Sequence, residues 1–363
     1  MTPNDQRTIL LTGATGFVGG ELLARLIQET DHDVVALVRA RDDAAAQERI
    51  DAQLTTLLAP QLQPAEGRVR AIAAHLDEPG LGLPVRRRNA IAGGIDAVVH
   101  CAASVEFTLP LPEALRINLD GTRGMLDLAE RAPRLDRFVH VSTAYVAGDR
   151  GGVYREDETD VGQVSRNTYE QTKLVAEIHV ESCGLPGTSI VRPSIVVGDS
   201  RTGWTPAFNV IYWPLQAFAR GLFPVVPGDP DARLDVVPVD TVADALLDLA
   251  SGPVRTGAIH VVAGKAAPTA RQIAELASAT FGAEPPRFVG PGEAPEVEAR
   301  AGAFLPYFRV RGIFDATRGH ALGYRPPLLE DYFGTLMAYA RATRWGKRPQ
   351  ARWEAGAHGL AAA

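Results

Sequence analysis

Short apolar runs alternate with segments of helical spacing over the first half of the chain. The apolar runs have the length of strands and lie at Thr8–Leu11, Asp33–Val38, Val69–Ala73, Ala97–His100, Arg137–Val141 and Thr188–Val191. The segments between them predict helices at Phe17–Glu29, Asp42–Leu58, Leu111–Arg131 and Asn167–Cys183. Strands that alternate with helices form parallel sheets. The pattern therefore predicts an α/β fold with a Rossmann-type, doubly wound parallel sheet.

The pattern becomes irregular after Arg192-Pro193, where Pro and Gly separate short segments. Regular spacing returns with a strand at Ala258–Val262 and helices at Thr241–Ala250, Thr269–Phe281 and Asp331–Arg344. A chain of 363 residues exceeds the size at which one core usually stops growing. We expect a Rossmann domain at 1–192, rejoined by a segment near 230–265, a smaller substrate-binding lobe mainly at 193–345, and a flexible tail at 346–363.

The first strand leads into a glycine-rich loop, and a helix begins directly after it. Gly13, Gly16 and Gly19 allow a tight turn, close approach of a pyrophosphate, and packing of the helix on the strand. The helix N-terminus offers free N–H groups to the anion. The strand-loop-helix context predicts a dinucleotide site, to which we also assign Thr15, Phe17 and Val18.

The second strand ends in Arg39, where an acidic residue would instead indicate NAD. A cation at this position suits the 2′-phosphate of NADP(H), and Arg41 or Arg49 could supply a second contact. The alternative is that Arg39 is a solvated residue at the end of a strand. We predict NADP(H) as the cofactor and residues 1–192 as its binding domain.

Three polar residues form a candidate catalytic set. Thr143 ends the fifth strand, and Tyr169 and Lys173 share one face of the next helix because they are four residues apart. Reduction of a carbonyl needs a proton donor at its oxygen, and a neighbouring ammonium would lower the pKa of the tyrosine from about 10. We expect Lys173 to lower that pKa and hold the nicotinamide ribose, and Thr143 to hydrogen-bond the substrate carbonyl.

Composition excludes several other classes of protein. The net charge of −6 is spread without a basic block, which argues against nucleic-acid binding. The N-terminus lacks the pattern of a signal peptide, so we expect a cytoplasmic protein. Two cysteines and 8 histidines without ligand spacing indicate neither a disulfide framework nor a metal site. The apolar stretch 208–227 is interrupted by Pro, Arg and Gly, which argues against a membrane span but leaves peripheral contact open.

These residues resemble the extended short-chain dehydrogenase/reductase family over roughly residues 8–280. Within that family the chain is most similar to the fatty acyl-CoA reductases and to the terminal thioester-reductase domains of carboxylic acid reductases and peptide synthetases. The resemblance is carried by Leu37–Ala40 with Arg49 downstream, His100–Phe107, Phe138–Val146, Val191–Gly198 and Asp235–Asp240. It implies a seven-stranded parallel sheet and a C-terminal lobe built from discontinuous segments.

The resemblance also implies roles for individual residues. In these relatives two arginines lie near the NADP phosphate, a role that falls here on Arg39 and Arg49. Further cofactor contacts are expected from the ends of other strands, at His75, Leu76, Ala102, Ala103, Ser104, Pro193 and Ile195, together with Tyr169 and Lys173.

Two features depart from the family pattern. The third strand normally ends in Gly-Asp followed by Leu or Ile, whose acid contacts adenine, whereas this chain has Ala74-His75-Leu76. The resemblance therefore gives no acidic contact to adenine. The chain also ends soon after the expected lobe, so we expect a substrate that is already activated or already an aldehyde or ketone.

Other candidate residues carry structural alternatives. His100 and His140 end strands and are expected to be buried rather than catalytic. Cys101 is expected to pack as a small residue rather than act as a nucleophile. Asn118 fits a structural role and a proton relay equally. We assign substrate contacts to Phe107, Tyr145, Trp204 and Phe208, and for the aromatic residues at 204, 208, 212, 213 and 218 core packing is the equal alternative.

The leading hypothesis is an NADPH-dependent reductase of a lipophilic acyl thioester. The thiol carrier is coenzyme A or an acyl carrier protein, and the product is an aldehyde, or an alcohol after a second round. The enzymatic alternatives on the same scaffold are an alcohol, aldehyde or hydroxysteroid dehydrogenase and a nucleotide-sugar epimerase. A non-enzymatic NADP sensor is opposed by the intact Tyr169 and Lys173.

Overall fold

A seven-stranded parallel sheet forms the centre of the molecule, which is described here by a computed structural model over residues 6–208, 210–222 and 225–358. The strands in this part of the chain are β1 Thr8–Thr12, β2 Asp33–Val38, β3 Val69–Ala73, β4 Ala97–His100, β5 Arg137–Val141, β6 Val153–Tyr154, β7 Thr188–Pro193, β8 Ile195–Val197, β9 Val225–Pro227, β10 Val236–Pro238, β11 Gly257–Val261, β12 Arg287–Val289 and β13 Ile313–Phe314. The central sheet has the order β11-β7-β5-β4-β1-β2-β3. The predicted doubly wound fold is confirmed.

Helices cover the sheet and build the rest of the chain. The α-helices are α1 Phe17–Glu29, α2 Asp43–Leu57, α3 Val85–Ala92, α4 Leu111–Leu115, α5 Gly121–Glu130, α6 Thr168–Glu181, α7 Tyr212–Ala219, α8 Val239–Ser251, α9 Ala270–Phe281, α10 Pro295–Ala301, α11 Thr317–Ala321, α12 Leu329–Ala342 and α13 Arg352–His358. Short 3-10 helices lie at Pro60–Leu62, Pro79–Gly82, Ala144–Ala147, Gly264–Ala266 and Gly302–Arg309.

The strands of the central sheet are apolar on both faces because helices cover both. In β1, Ile9, Leu10 and Leu11 are all fully buried, and Leu10 lies in register with Val35 of β2 and Val98 of β4. Continuous apolar runs of this kind are typical of parallel sheets. The hydrophobic effect therefore fixes these strands in the interior.

One predicted helix is interrupted in the structure. We expected a single helix from residue 111 to 131, but a π-helical turn at Arg116–Asp120 separates α4 from α5. A π turn inserts an extra residue into the helical period and often marks a functional site. It includes the buried Asn118, whose contacts are described below.

The smaller lobe has its own apolar core, formed by α7, α9, α12 and short parallel strand pairs. These pairs are β8 with β10, β9 with β12, and β6 with β13. Between them, α8 and β11 return to the central sheet, where β11 pairs with β7 and Arg25 of α1 bonds Asp244 of α8 at 2.6 Å.

Part of the segment 346–363, for which we predicted a flexible tail, forms the helix α13. Helix α13 packs on α2, and its Trp353 indole donates to the carbonyl oxygen of Thr55 at 3.3 Å. Arg352 bonds the fully buried carboxylate of Glu21 at 2.6 Å. These two contacts hold α13 against the sheet domain. Residues 359–363 lie outside the described part.

Candidate active site

The predicted cofactor and catalytic residues follow strands that end at one edge of the sheet. Because all strand pairs in the central sheet are parallel, their carboxyl ends meet along that edge. From β3 to β7 the edge carries His75 and Leu76, then Arg39, then the loop Gly13–Gly19, then Cys101–Ser104, then Thr143, then Pro193 and Ile195. The glycine loop and the Cys101–Ser104 loop therefore flank the point where the strand order reverses, which is where dinucleotides bind in such sheets.

The glycine loop has the geometry of a phosphate cradle. Gly13 has a positive φ of 77°, and a Cβ there would lie 2.9 Å from the backbone nitrogen of Ala102. A Cβ on Gly19 would overlap the carbonyl oxygen of Gly13. Gly16 is the N-cap of α1 and supplies no side chain to its N–H groups, and the first helical turn contains no acidic residue. These N–H groups are therefore available to a pyrophosphate.

The two predicted phosphate-binding arginines are adjacent in space. Both side chains are exposed, and the Arg49 guanidinium donates to the backbone carbonyl of Arg39. Arg41 forms an exposed pair with Asp42 at 3.1 Å. Nearby, the His75 ring is within 3.0 Å of the Ala40 carbonyl oxygen, so this histidine fixes the turn after β3 to the turn after β2. Arg39 and Arg49 thus form a cationic corner beside the glycine loop.

The Thr143 and Tyr169 side chains are neighbours, and the Thr143 hydroxyl acts to lower the pKa of Tyr169. In this structure that hydroxyl donates to the Pro193 carbonyl oxygen at 3.4 Å and accepts from the Tyr145 N–H at 3.2 Å. Tyr169 lies in the first turn of α6, which Asn167 caps by accepting from the Glu170 N–H at 2.9 Å. The expectation that the pKa of Tyr169 is lowered is wrong for this structure. Burial raises the pKa of Tyr169 above its ordinary value of 10, and the Thr143 hydroxyl offsets only part of that effect.

Lys173 is 2% exposed and points below the tyrosine into the sheet. Its ammonium donates to the carbonyl oxygen of Val141 at 2.8 Å and lies 3.2 Å from Nε2 of His140. Burial lowers the pKa of Lys173 from 10.5 to about 8, while the carboxylate of Glu177 acts in the opposite direction. Lys173 is therefore ionised at pH 7 but close to losing its proton.

His100 and His140 are buried as expected, and sequence reasoning missed that His140 contacts Lys173. Their rings lie 5.4 Å apart, and His100 bonds the hydroxyls of Thr12 at 2.8 Å and Thr122 at 3.0 Å. Burial and the charge on Lys173 lower the pKa of His100 to about 3. Both rings are neutral at pH 7, and no titration near neutrality follows from them.

Asn118 connects the active-site helix to the loop after β4. Its side-chain amide donates to the Ser104 carbonyl at 3.1 Å and the Thr172 hydroxyl at 3.0 Å, and its oxygen accepts from the Ser104 N–H at 2.8 Å. Since these bonds use both donors and one acceptor site, the contacts support the structural role of Asn118. It positions α6 relative to the Cys101–Ser104 loop.

Cys101 does not have the environment of a nucleophile. Burial raises the pKa of its thiol to about 11 despite the nearby charge of Lys173. The group is therefore a neutral thiol at pH 7, and neutral thiols are weak nucleophiles. This supports the packing role expected from the sequence.

An aromatic wall lies beside Tyr169. The Phe107 ring lies 5.8 Å from the Tyr169 ring and 5.4 Å from the ring of Tyr307. Tyr307 also packs at 5.0 Å against Tyr145, and its hydroxyl donates to the buried Glu170 at 2.8 Å. The structure thus brings Phe107 and Tyr145 to the site. Sequence reasoning missed Tyr307 because it lies far downstream in an irregular segment.

Tyr307 belongs to the 3-10 helix Gly302–Arg309, which contacts the aromatic wall and also lines two cavities. In a 3-10 helix, side chains three residues apart align. Phe304 and Tyr307 face Phe107. Leu305 and Phe308 line an apolar cavity, while Leu305, Pro306 and Arg309 line a second cavity, whose lining also contains arginines from elsewhere in the chain. We call this element the partition helix.

The apolar cavity lies inside the smaller lobe, between α7, β9, α9 and the partition helix. It contains about 800 Å³ of empty space, part of it open to solvent. Its lining side chains are all aliphatic, aromatic or proline, among them Trp213, Leu215 and Phe218 of the stretch singled out in the sequence. An apolar ligand would lose water from both its own surface and this lining.

Trp204 and Phe208 lie elsewhere, and neither lines this cavity. Trp204 is 2% exposed, packs 6.0 Å from the Phe17 ring, and donates from its indole to the Gln350 carbonyl. Phe208 packs against Tyr212 and Trp345. For these two residues the structure favours the core-packing alternative over substrate contact.

Within residues 6–208, 210–222 and 225–358, every helix is too short or too polar to span a bilayer. The same residues contain no group of three or more His, Cys, Asp or Glu side chains arranged to hold a metal ion.

Comparison with known proteins identifies a family and several relatives. The family model described as "Male sterility protein" matches residues 11–246. Fatty acyl-CoA reductase 1 of Mus musculus is 32% identical over 279 residues, which cover 66% of this chain and 54% of the relative. The chain thus spans about half the length of the curated relatives it matches.

Two solved structures are also similar. The terminal R domain from the myxalamid PKS-NRPS biosynthetic pathway superposes with a TM-score of 0.80 at 29% identity, covering 96% of this chain and 94% of that one. A thiolation-reductase di-domain from an archaeal non-ribosomal peptide synthetase gives a TM-score of 0.75 at 18% identity, covering 94% of this chain and 78% of that one. The second likeness is one of fold alone.

Proposed function

Because the chain belongs to the male sterility protein family and is an oxidoreductase with a nucleotide-binding Rossmann fold, we propose that it is an NADPH-dependent reductase of lipophilic acyl thioesters. The observation that carries the proposal is the position of the Thr143–Tyr169 pair beside an aromatic wall whose partition helix also lines the apolar cavity. The partition helix then separates the carbonyl, which reacts beside the aromatic wall, from the acyl chain, which binds in the apolar cavity.

The residues present fit a bound NADP(H). The glycine cradle and the uncapped N-terminus of α1 would hold the pyrophosphate, and Arg39 with Arg49 would hold the 2′-phosphate. The loop Cys101–Ser104 would contact the nicotinamide ribose. The Lys173 ammonium bonds Val141 and His140 in this structure, which leaves one of its three N–H donors for that ribose. The cofactor supplies the hydride that adds to the carbonyl carbon of the thioester.

The chain's own residues then handle the carbonyl oxygen. Thr143 and Tyr169 donate hydrogen bonds to it, which stabilises the negative charge that develops as the hydride adds. Tyr169 gives its proton to this oxygen, and the product is a hemithioacetal. Cleavage of the carbon–sulfur bond, with the hydroxyl proton moving to sulfur, releases the thiol and leaves the aldehyde. A second hydride and proton would convert the aldehyde to an alcohol.

Substrate preference tests this function. We expect NADPH oxidation with acetyl-, octanoyl- and palmitoyl-CoA to rise with chain length, because each buried methylene contributes up to about 0.8 kcal/mol. Decanal should also react, since aldehydes are more electrophilic than thioesters. Product analysis should show aldehyde or alcohol. Activity on decanal alone would indicate an aldehyde reductase. Absence of activity on all four compounds would reject the proposal.

A variant pair tests whether the acyl chain occupies the apolar cavity. Ala274 lines the cavity on α9, and Ala279 is exposed on the same helix. Ala274→Phe should lower kcat/KM for palmitoyl-CoA about tenfold or more relative to acetyl-CoA, because a ring would fill space needed by several methylenes. Ala279→Phe should keep the wild-type ratio. Equal ratios in the two variants would place the chain elsewhere.

A further inference from the structure

The second cavity, next to the partition helix, contains four arginines in a lining that is otherwise mostly apolar. It contains about 1050 Å³ of empty space, including open solvent, and its lining includes Arg150, Arg166, Arg309 and Arg311 but one acidic residue, Asp149. The catalytic mechanism makes no use of these four arginines. We call it the basic cavity.

The arginines differ in how far their charge is already satisfied. Arg150 pairs with Glu158 at 3.0 Å, and Arg166 pairs with the buried Glu170 at 3.3 Å. Arg311 pairs with Asp229 at 2.6 Å, although its own side chain is 77% exposed. The Arg309 side chain is exposed and has no ion pair or hydrogen bond with another residue in the described ranges. A guanidinium has five N–H donors, so the paired arginines also keep donors for an added anion.

The position of the basic cavity relates it to the active site. Pro306 and Arg309 line it from one face of the partition helix, and Tyr307 contacts the aromatic wall from the next. Arg166 lies over the Tyr307 ring at 5.9 Å and three residues before Tyr169. The cavity therefore adjoins the aromatic wall through Tyr307, and it meets the apolar cavity at Leu305, which lines both.

We propose that the basic cavity binds the phosphate end of a phosphopantetheine thioester, while the acyl chain lies in the apolar cavity and the thioester carbonyl lies at Tyr169. A thioester on such a carrier has an apolar acyl group on one side of the carbonyl and an anionic phosphate on the other. The partition helix presents matching surfaces in the same order. Arginine is the side chain best suited to phosphate because its fork of donors matches the oxygens.

Coenzyme A is the source of this phosphate that the cavity fits best. It carries three phosphate groups, whereas the arm of a carrier protein carries one phosphodiester. The Arg309 side chain has no ion pair in the described ranges and the paired Arg311 keeps further N–H donors, so the cavity offers contacts to more than one phosphate. The placement of a thioester substrate rests on the proposed function. Binding of phosphate in the basic cavity does not, because it is measurable without turnover.

The first experiment measures binding of coenzyme A and of pantetheine, which lacks the phosphates, by calorimetry. NADP⁺ is kept at saturation so that the adenosine end of coenzyme A does not enter the cofactor site. We expect coenzyme A to bind at least about tenfold more tightly, as one charge-assisted contact supplies, and to lose this advantage in high salt. Equal binding of the two ligands would overturn the proposal.

The second experiment compares octanoyl-CoA with octanoyl-pantetheine as substrates. Arg309→Ala combined with Arg311→Ala should lower the ratio of their kcat/KM values about tenfold or more. Arg86→Ala removes an exposed arginine of α3, outside the basic cavity, and should keep the wild-type ratio. An unchanged ratio in the double variant would overturn the proposal.

An octanoyl carrier protein identifies the source of the phosphate. Preference for octanoyl-CoA over the carrier-bound substrate supports coenzyme A, and the opposite preference, with the same sensitivity to the double variant, assigns the cavity to the phosphodiester of a carrier arm. If no thioester is reduced while coenzyme A still binds more tightly than pantetheine, the proposed function fails and the phosphate site stands. If both thioesters are reduced equally, the proposed function stands and the phosphate site fails.

Discussion

Replacing Lys173 by methionine should change stability in opposite directions at neutral and at alkaline pH. A pKa of about 8 in place of 10.5 means that ionised Lys173 costs the folded state about 3 kcal/mol, at about 1.4 kcal/mol per pKa unit. The unfolded chain binds this proton more tightly than the folded one. The cost is therefore fully present below about pH 8, and the wild-type protein becomes more stable as the pH rises toward 10.5.

Lys173→Met removes this cost but also the ammonium's two contacts. The bonds to Val141 and His140, at 2.8 and 3.2 Å, contribute about 1 kcal/mol each. At pH 7 the variant should thus be more stable than wild type by about 1 kcal/mol. At pH 9.5 the remaining cost of the charge is about 1.4 kcal/mol, so the variant should be slightly less stable.

Urea unfolding of both proteins at pH 7 and pH 9.5 measures this effect. The difference in free energy of unfolding should shift by about 2 kcal/mol between the two pH values, whatever the exact strength of the lost hydrogen bonds. Lys265→Met is the control because Lys265 is exposed, and it should show little shift. A Lys173→Met difference that is the same at both pH values would refute a depressed pKa.

Three further variants test separate parts of the site. Tyr169→Phe should lower kcat about 100-fold, the usual scale of acid–base catalysis, with a smaller effect on NADPH affinity, and near-wild-type turnover would eliminate the mechanism. Arg39→Asp should lower the NADPH-to-NADH ratio of kcat/KM about 10- to 150-fold, and an unchanged ratio would mean that another residue recognises the phosphate. Glu177→Gln leaves the fully buried Arg192 without its carboxylate and should lower the free energy of unfolding in urea by about 3–5 kcal/mol. Glu181→Gln is the control, because the Glu181 side chain is 41% exposed, and it should lower this free energy much less. Equal losses in the two variants would contradict the role of Glu177 as the buried partner of Arg192.

The sequence predicted the sheet domain well because its signals are local. The bounds of β2, β3, β4 and β5 agree residue by residue with the predicted runs, and a polar residue precedes each run. Helix α3 was missed because its arginine-rich sequence, Val-Arg-Arg-Arg-Asn, hides the two buried residues Ile91 and Ala92. The π turn was missed because an inserted residue changes hydrogen bonding without changing composition.

The smaller lobe was harder to predict because its pairings are non-local. Strands β9 and β12 have three residues each and are separated by about sixty positions, so neither carries a period-2 pattern long enough to recognise. Tyr307 reaches the candidate site through a 3-10 helix, whose period of three matches neither the strand period nor the α-helical period. Trp204 and Phe208 were predicted to contact substrate but pack in the core, because composition alone does not distinguish a cavity wall from a core.

The raised pKa of Tyr169 bears on the direction of the reaction. A tyrosine whose pKa is above 10 is fully protonated at pH 7, and a protonated phenol is the state that a reductase needs as its donor. The same burial makes the proton harder to release, so the site must stabilise the phenolate as the oxyanion takes the proton. The Thr143 hydroxyl acts in that direction on the pKa of Tyr169. Glu177 separately raises the pKa of Lys173 against the effect of burial, so Lys173 stays ionised at pH 7. Removal of the Glu177 charge should therefore lower the pKa of Lys173 further and reduce turnover at pH 8 more than at pH 6. This couples the buried Arg192–Glu177 pair to proton transfer as well as to stability.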